Sequence, residues 1–190
     1  RWSRSASFTF SFIWRRTSWE NGGVTEEVKR NYLEINSLQD LIEGNKPSED
    51  YSLSLINPIN FQLNKFFYKN IGKKHKWVDR LTWSEEKWIN YVSSKNVNSY
   101  VFKHKDDLVG FFELIFHPEN NETEIAYFGI LEEYQNKKLG SFLLSEAIKK
   151  SFVNNTKRVW VHTCSLDHKN ALSNYISRGM KIFKTEILNI

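Results

Sequence analysis

With 190 residues, an ample share of apolar and aromatic side chains and mixed charge, the chain has the composition of one well-filled globular domain. No apolar run approaches the roughly 18 residues of a membrane helix, and a single cysteine, Cys164, excludes an intrachain disulfide and fits a reducing, cytoplasmic compartment. The net charge of +5 is concentrated at the start, where Arg1, Arg4, Arg15 and Arg16 face one acid, Glu20, so the remaining sequence has the ordinary charge of a soluble domain and neither nucleic acid nor membrane is expected as its partner.

The first segment, "RWSRSASFTFSFIWRRTSWENGG", differs from the rest: it has no Lys, and no Asn before Asn21. Ser5 to Phe12 alternates polar and apolar residues with a strand period, while the Arg/Ser richness resembles a transit peptide without an evident amphipathic helix. Asn21-Gly22-Gly23 reads as a linker, so residues 1–23 are expected to be a dispensable leader or translated upstream sequence with no role in the fold, and residues 24–190 the working domain. With that compartment, Asn121-Glu-Thr and Asn154-Asn-Thr are chance matches to glycosylation acceptors.

Beyond the linker, "NYLEI" (31–35) is a strand, and Ser37 caps a short helix over "LQDLIEG". Residues 44–58 are loop-like. Residues 59–71 have helical apolar spacing and end at Gly72, and Thr82-Trp-Ser-Glu85 is a capping box for a helix through about Val92. Three strands follow, "SYVFKH", "LVGFFELIF" and "TEIAYFGIL", with turns at Asp106-Asp107 and at residues 117–121. A helix from Leu139 carries apolar residues at Leu139, Leu143, Ala147 and at Leu144, Ile148, Phe152. "RVWVHTC" (158–164) is a strand, residues 168–178 a helix and "KIFKTEIL" a last strand. Strands giving way to alternating helices and strands specify one α/β domain with a mixed sheet.

The connection from Glu132 to Gly140 runs from a strand straight into a helix. Such a helix start presents unpaired N–H groups and the positive end of its dipole, which is the chemistry of a phosphate site. Gly140 admits a ligand close to the backbone, and Lys137 and Lys138 add positive charge. An ordinary strand–turn–helix with a solvated lysine pair is the alternative.

Gln135-Asn-Lys-Lys-Leu-Gly140 resembles the Q/R-x-x-G-x-G/A pyrophosphate signature of the GNAT superfamily of acyl-CoA N-acyltransferases. "NALSNYISRGMKIFKTE" resembles that superfamily's second signature, with Ala171, Tyr175 and Gly179 at its spacing and Met180 in place of the usual Phe. "FFYKNIGKKHKWVDRLTWSEEKW" resembles a bacterial acetyltransferase subgroup. Two departures stand out. Lys138 replaces the first glycine of the pyrophosphate signature, where its side chain can contact phosphate instead. His168 replaces the asparagine of the second, which leaves the last helix to another cap, Asp167. The resemblance implies a GNAT-like single domain with a mixed, mostly antiparallel sheet flanked by helices, acetyl-CoA as co-substrate, and an amine of a small molecule or protein as acceptor, in a monomer or homodimer. The cofactor would lie along Phe128, Gly129 and Ile130 and on Gln135, Asn136, Lys137, Lys138, Leu139, Gly140 and Ser141. A GNAT-fold module that holds CoA without transfer is the alternative, and nucleic-acid binding through the leader is a third reading.

Acetyl transfer to an amine needs a base, because an amine near pKa 10 is mostly charged at pH 7. Glu124, before the pyrophosphate loop, resembles the base glutamate of the histone acetyltransferase branch, and strand burial would suit it to that role. Glu113 on the neighbouring strand is a second carboxylate, to orient the acceptor or act as base. Tyr175 has the family's role of proton donor to the departing thiolate. Trp77 and Asp79 lie in a loop that borders the acceptor cleft in this fold, where an acid can hold a cationic amine and an aromatic ring can pack over it; Trp77, Trp83 and Trp88 can equally fill the core. His162 shares a strand face with Trp160 and Cys164. Residues two apart on a strand point the same way rather than at each other, so His162 is placed in the acceptor lining rather than in a Cys–His pair. The five histidines carry no ligand spacing, and no metal is expected.

Overall fold

The computed structural model describes residues 26–153 and 155–189; the leader lies outside the described residues. Seven strands form one sheet: β1 (Glu27–Ile35), β2 (Tyr51–Leu55), β3 (Val97–His104), β4 (Asp107–His117), β5 (Glu122–Ile130), β6 (Arg158–Cys164) and β7 (Lys181–Asn189), in the order β2-β3-β4-β5-β6-β1-β7. All neighbours are antiparallel except β5 and β6. Four α-helices accompany them: α1 (Phe61–Gly72), α2 (Glu85–Val92), α3 (Leu139–Ser151) and α4 (Ala171–Ser177). This is the expected single α/β domain with a mixed, mostly antiparallel sheet and flanking helices.

The alternation of each strand divides its side chains between two layers. On one face Phe112, Leu114, Ile125, Val159, Val161, Leu33 and Ile35 pack with Leu139, Leu143, Leu144, Ala147 and Ile148 of α3. Those five α3 residues are the i, i+4 positions read from the sequence, and all are buried. On the other face Phe67 and Ile71 of α1 meet Val101 and Phe111, with the Phe67 and Phe111 rings stacked at 5.0 Å. Fully burying a side chain of this size contributes roughly 1.5–3 kcal/mol, so both layers are anchored on the central strands.

Local signals differ from the expectations in four places. Residues 51–55, expected as loop, are strand β2, an edge strand paired only with β3; Tyr51, Leu53 and Leu55 alternate with serines, a strand period in a partly exposed setting. The segment after Ser37 forms a 3-10 turn over Leu38–Asp40 only, with Ser37 Oγ accepting from the Gln39 amide. Helix α2 is capped by Ser84, which accepts from Lys87 N at 3.2 Å, not by Thr82; Glu85 and Glu86 then fill its first turn. Asp167 does not cap α4. Its Oδ2 accepts from Thr163 Oγ1 at 2.6 Å and Cys164 N at 2.9 Å, closing the turn after β6, and His168 Nδ1 accepts from Asn170 N.

Residues 40–44 cross the start of α3 and the end of α4. Ile42 N donates to Arg178 O and Gly44 N to Ser145 Oγ. A Cβ on Gly44 would lie 2.3 Å from the Ser141 carbonyl carbon, and one on Gly179 (φ +97) 2.1 Å from the Asp40 carbonyl oxygen, so both approaches require glycine.

Candidate active site

Strands β5 and β6 pair only at Glu122↔Arg158, Thr123↔Val159 and Glu124↔Trp160. Beyond Glu124 they diverge, while β5 continues to pair with β4 through Gly110↔Ile130 across a bulge at Ala126. From Ile125 onward the side of β5 that faces β6 has no ladder partner, although it lies inside the sheet. Backbone groups left open in this way must find another partner.

The open edge leads into the loop before α3. Gln135 Nε2 donates to Ile130 O at 3.2 Å, tying the loop back to the strand end. Asn136 (φ 61) and Lys138 (φ 60) are left-handed. Lys138 is the N-cap of α3, and no side chain caps that helix or places an acid in its first turn. The helix start is therefore free to receive an anion, with Lys137 and Lys138 beside it. The left-handed backbone at Lys138 is the physical reason a glycine suits that position, and the lysine here adopts it regardless. A Cβ on Gly140 would meet only Asn174 Nδ2, at 3.7 Å, so the space over this turn is open.

Phe128 and Ile130 point to the α3 layer, with the Phe128 ring 6.4 Å from that of Tyr175. Gly129 points the other way, where a Cβ would come within 2.5 Å of Ile71 Cγ2. Tyr175 is buried on α4, and its hydroxyl makes no hydrogen bond among the described residues. Burial, with the charge of Asp167 adding to it, pushes its phenol well above the ordinary range, so it keeps its proton at neutral pH.

On the α1–α2 side, Glu124 stands at the last paired position before the strands part. It is 4 % exposed, and its Oε2 is 3.0 Å from His117 Nε2. The His117 ring in turn stacks with Trp160, centroids 6.1 Å apart. Glu113 is fully enclosed. Arg80 holds it bidentately, Nη1 to Oε2 at 3.1 Å and Nη2 to Oε1 at 2.8 Å, while Asn64 Nδ2 donates to Oε2 at 2.8 Å and the Tyr91 hydroxyl to Oε1. Burial alone would raise this carboxyl, but the charge and hydrogen bonds of Arg80 outweigh it and hold Glu113 below the usual carboxylate range. The Arg80 guanidinium lies 4.2–5.7 Å from the ring centroids of Tyr91, Tyr127, Trp83, Tyr68 and Trp88. Both Glu113 oxygens are thus engaged within the protein, which differs from the expectation of a carboxylate facing an acceptor.

Asp79 is exposed at the rim of this cage, its two oxygens accepting from the Tyr68 and Tyr127 hydroxyls at 2.8 Å each. Trp77 packs edge-on against Tyr127 at 4.8 Å and fills the space that Gly72 leaves. His162 is on β6 beside Tyr32, ring centroids 5.7 Å apart. Burial, then the charge of Arg30, lowers its pKa, so it is neutral at pH 7, while Glu124 and Asp79 act on it in the opposite sense. Cys164 is half-buried and its thiol is pushed up by burial, then by Asp167, the reverse of an activated nucleophile. Among the described residues, no group of three or more His, Cys, Asp or Glu side chains is placed to hold a metal ion, and no helix is long and apolar enough to cross a membrane.

Sequence reasoning missed the roles of Arg80, Asn64, Tyr91, Tyr127 and His117. The first four meet Glu113 or its cage from separate elements, with no local signal. His117 was within reach: a hairpin turning at residues 118–121 pairs it with Glu122, which sets Glu124 on the adjacent diagonal.

Diverging parallel strands opening onto an uncapped helix start, within a sheet of this order, define an acetyltransferase fold. The chain belongs to the Acetyltransferase (GNAT) family, which its residues 61–180 match. Among solved structures it is similar to a GCN5-related N-acetyltransferase from Sphaerobacter thermophilus (TM-score 0.64, 15% identity, 85% of this chain and 50% of that one). It is also similar to one from Kribbella flavida (TM-score 0.60, 14% identity, 84% and 56%) and to a tandem GNAT protein from the clavulanic acid biosynthesis pathway (TM-score 0.55, 11% identity, 88% and 54%). The chain thus spans about half the length of these structures. No curated protein matches the sequence.

Proposed function

We propose that the protein is an N-acetyltransferase that uses acetyl-CoA and acts on a primary amine. The observation that carries this reading is the continuity between the open edge of β5 and the uncapped start of α3. The first is an extended row of backbone donors and acceptors suited to pantetheine; the second is a phosphate site. Phe128, Gly129 and Ile130 would line the pantetheine, and the loop from Gln135 to Ser141 would hold the pyrophosphate. Acetyl-CoA supplies the acyl group as a thioester.

The chain's own residues would do the rest. Glu124, at the point where the strands part, takes a proton from the acceptor ammonium, and Tyr175, protonated and across the same gap, donates to the departing sulfur. Asp79, Trp77 and His162 would line the acceptor entrance. The enclosure of the Arg80–Glu113 pair supports the choice of Glu124 over Glu113 as the base.

Four measurements test this. Acetyl-CoA at 100 times its dissociation constant should stabilise the protein by about 2.7 kcal/mol, and absence of any thermal shift at millimolar ligand overturns the proposal. Gly140→Val, which crowds the open space over the turn, should abolish the shift. With acetyl-CoA and a panel of primary amines, Glu124→Gln should lower turnover by roughly 10²- to 10⁴-fold near neutral pH. Tyr175→Phe should lower turnover with acetyl-CoA affinity nearly unchanged.

A further inference from the structure

Glu124 has one oxygen committed and one free. Its Oε2 meets His117 Nε2 at 3.0 Å, whereas Oε1 takes no hydrogen bond among the described residues and is not among the enclosed unpartnered atoms. His117 is itself fixed on two sides. Strand β4 sets it diagonally across from Glu124, and its ring lies nearly parallel to that of Trp160, at 22°. Trp160 is the cross-strand neighbour of Glu124 on β6. The histidine therefore holds the carboxylate from the side away from the diverging strands, and 29 % of its side chain reaches solvent.

We infer that His117 is a positioning residue for the transfer: by donating to one oxygen of Glu124 it turns the other toward the acceptor amine, and its own protonation switches the base off. This rests on Glu124 being the base. When His117 is neutral, its Nε2–H orients the carboxylate without adding charge to the site. When it is charged, the imidazolium stabilises the carboxylate and weakens its hold on the amine proton. No covalent step passes through His117. The proton leaves the ammonium N–H bond and forms an O–H bond at Glu124 Oε1.

The pH at which the switch acts follows from the groups around the ring. Glu124 and Glu122 of β5 and Glu119 of the hairpin turn all face it, the last at 3.7 Å from Nδ1, and all favour its charged form. Arg158 of β6 is held by Glu122 and Glu34. Glu124 in turn acts on Tyr91 of α2 and His162 of β6. The hydrogen bond to Glu124 raises His117 above the ordinary histidine value of 6.5, against the opposing effect of burial. The switch therefore turns the base on as pH rises through a point above that value.

The test has a part that needs no turnover. NMR titration of the His117 ring in the full chain, with and without Glu124→Gln, should show its midpoint falling in the variant; an unchanged midpoint overturns the inference. The second part is the pH–rate profile with acetyl-CoA and spermidine, or whichever amine of the panel turns over fastest. His117→Gln keeps an N–H donor at the same reach but does not titrate. It should retain most of the plateau rate while its acidic limb moves to lower pH. His117→Ala, which loses the donor, should lower the plateau rate, by less than the roughly 10²-fold that marks removal of the base itself. An unmoved limb in His117→Gln, or an unchanged plateau in His117→Ala, overturns the inference. If Glu124→Gln itself keeps the wild-type rate, the assignment of the base fails, and the inference with it; if it loses rate while both His117 variants behave as wild type, only the inference fails.

Discussion

Arg80 and Glu113 show what a buried charge costs and what keeps it. Each is almost fully enclosed, at 1 % and 0 % exposure, yet the carboxylate receives hydrogen bonds from Arg80, Asn64 and Tyr91. Removing one member leaves the other charged and unpaired, a loss of roughly 3–5 kcal/mol. Glu113→Gln should therefore destabilise by about that amount in chemical denaturation. The sign with pH follows from the lowered carboxyl. Its contribution is fully present above the unfolded pKa, near the ordinary carboxyl value of 4.5, and is lost as pH falls through the lower folded value. The wild type should thus lose stability on acidification below about pH 4.5, and Glu113→Gln should lose less. From sequence alone Glu113 was a carboxylate among apolar neighbours, read as orienting the acceptor or acting as base rather than as half of an enclosed ion pair. Its partner comes from a loop 33 residues away, so nothing in the local text distinguishes the two roles. Glu124 was named through its resemblance to a family glutamate before the loop, and it stands where β5 and β6 part.

At the scale of elements, α3 and the turn before it were the most legible part of the chain. The apolar spacing fixes the buried stripe of the helix, and the lysines and glycine mark its phosphate-like start. The backbone at Lys138 was not legible, since a lysine gives no signal for a left-handed conformation that costs an L-residue roughly 1–2 kcal/mol. Lys138→Gly removes that cost but adds roughly 0.5–1 kcal/mol of chain entropy. Its stability by thermal denaturation should accordingly be unchanged or slightly raised. Acetyl-CoA affinity by calorimetry should fall, and fall less steeply with added salt than in the wild type, because the lysine charge lies beside the phosphate turn. Strand β2 was missed for the opposite reason. An edge strand covered on few sides needs few apolar residues, and the Pro and Asn residues flanking it read as loop.

Across the whole molecule, element types were readable and strand order was not. Periodicity reports which residues share a face; it carries no information on which strand lies beside which. The first strand proves to lie inside the sheet, antiparallel to both β6 and β7. It buries Val28, Leu33 and Ile35, and it is the sheet partner of β7. A chain starting at Val24 should fold and respond to acetyl-CoA as the full chain does, whereas one starting at Ser37 should lose β7 from the sheet. Circular dichroism and proteolysis of the two proteins check this, and a folded, protease-resistant chain from Ser37 would contradict it.

That placement also governs time. During synthesis β1 emerges well before its partners, which begin at Arg158 and Lys181. Strands β3 to β5 can zip together as a local meander, but β1 has nothing to pair with until β6 and β7 are available. Closing such a distant contact is slow, because loop entropy must be overcome before the contact rewards it. Until then an apolar strand with two bare edges is open to pairing with another molecule. Resistance to aggregation at high expression should thus depend on how quickly β1 meets β6 and β7 as well as on the stability of the finished sheet.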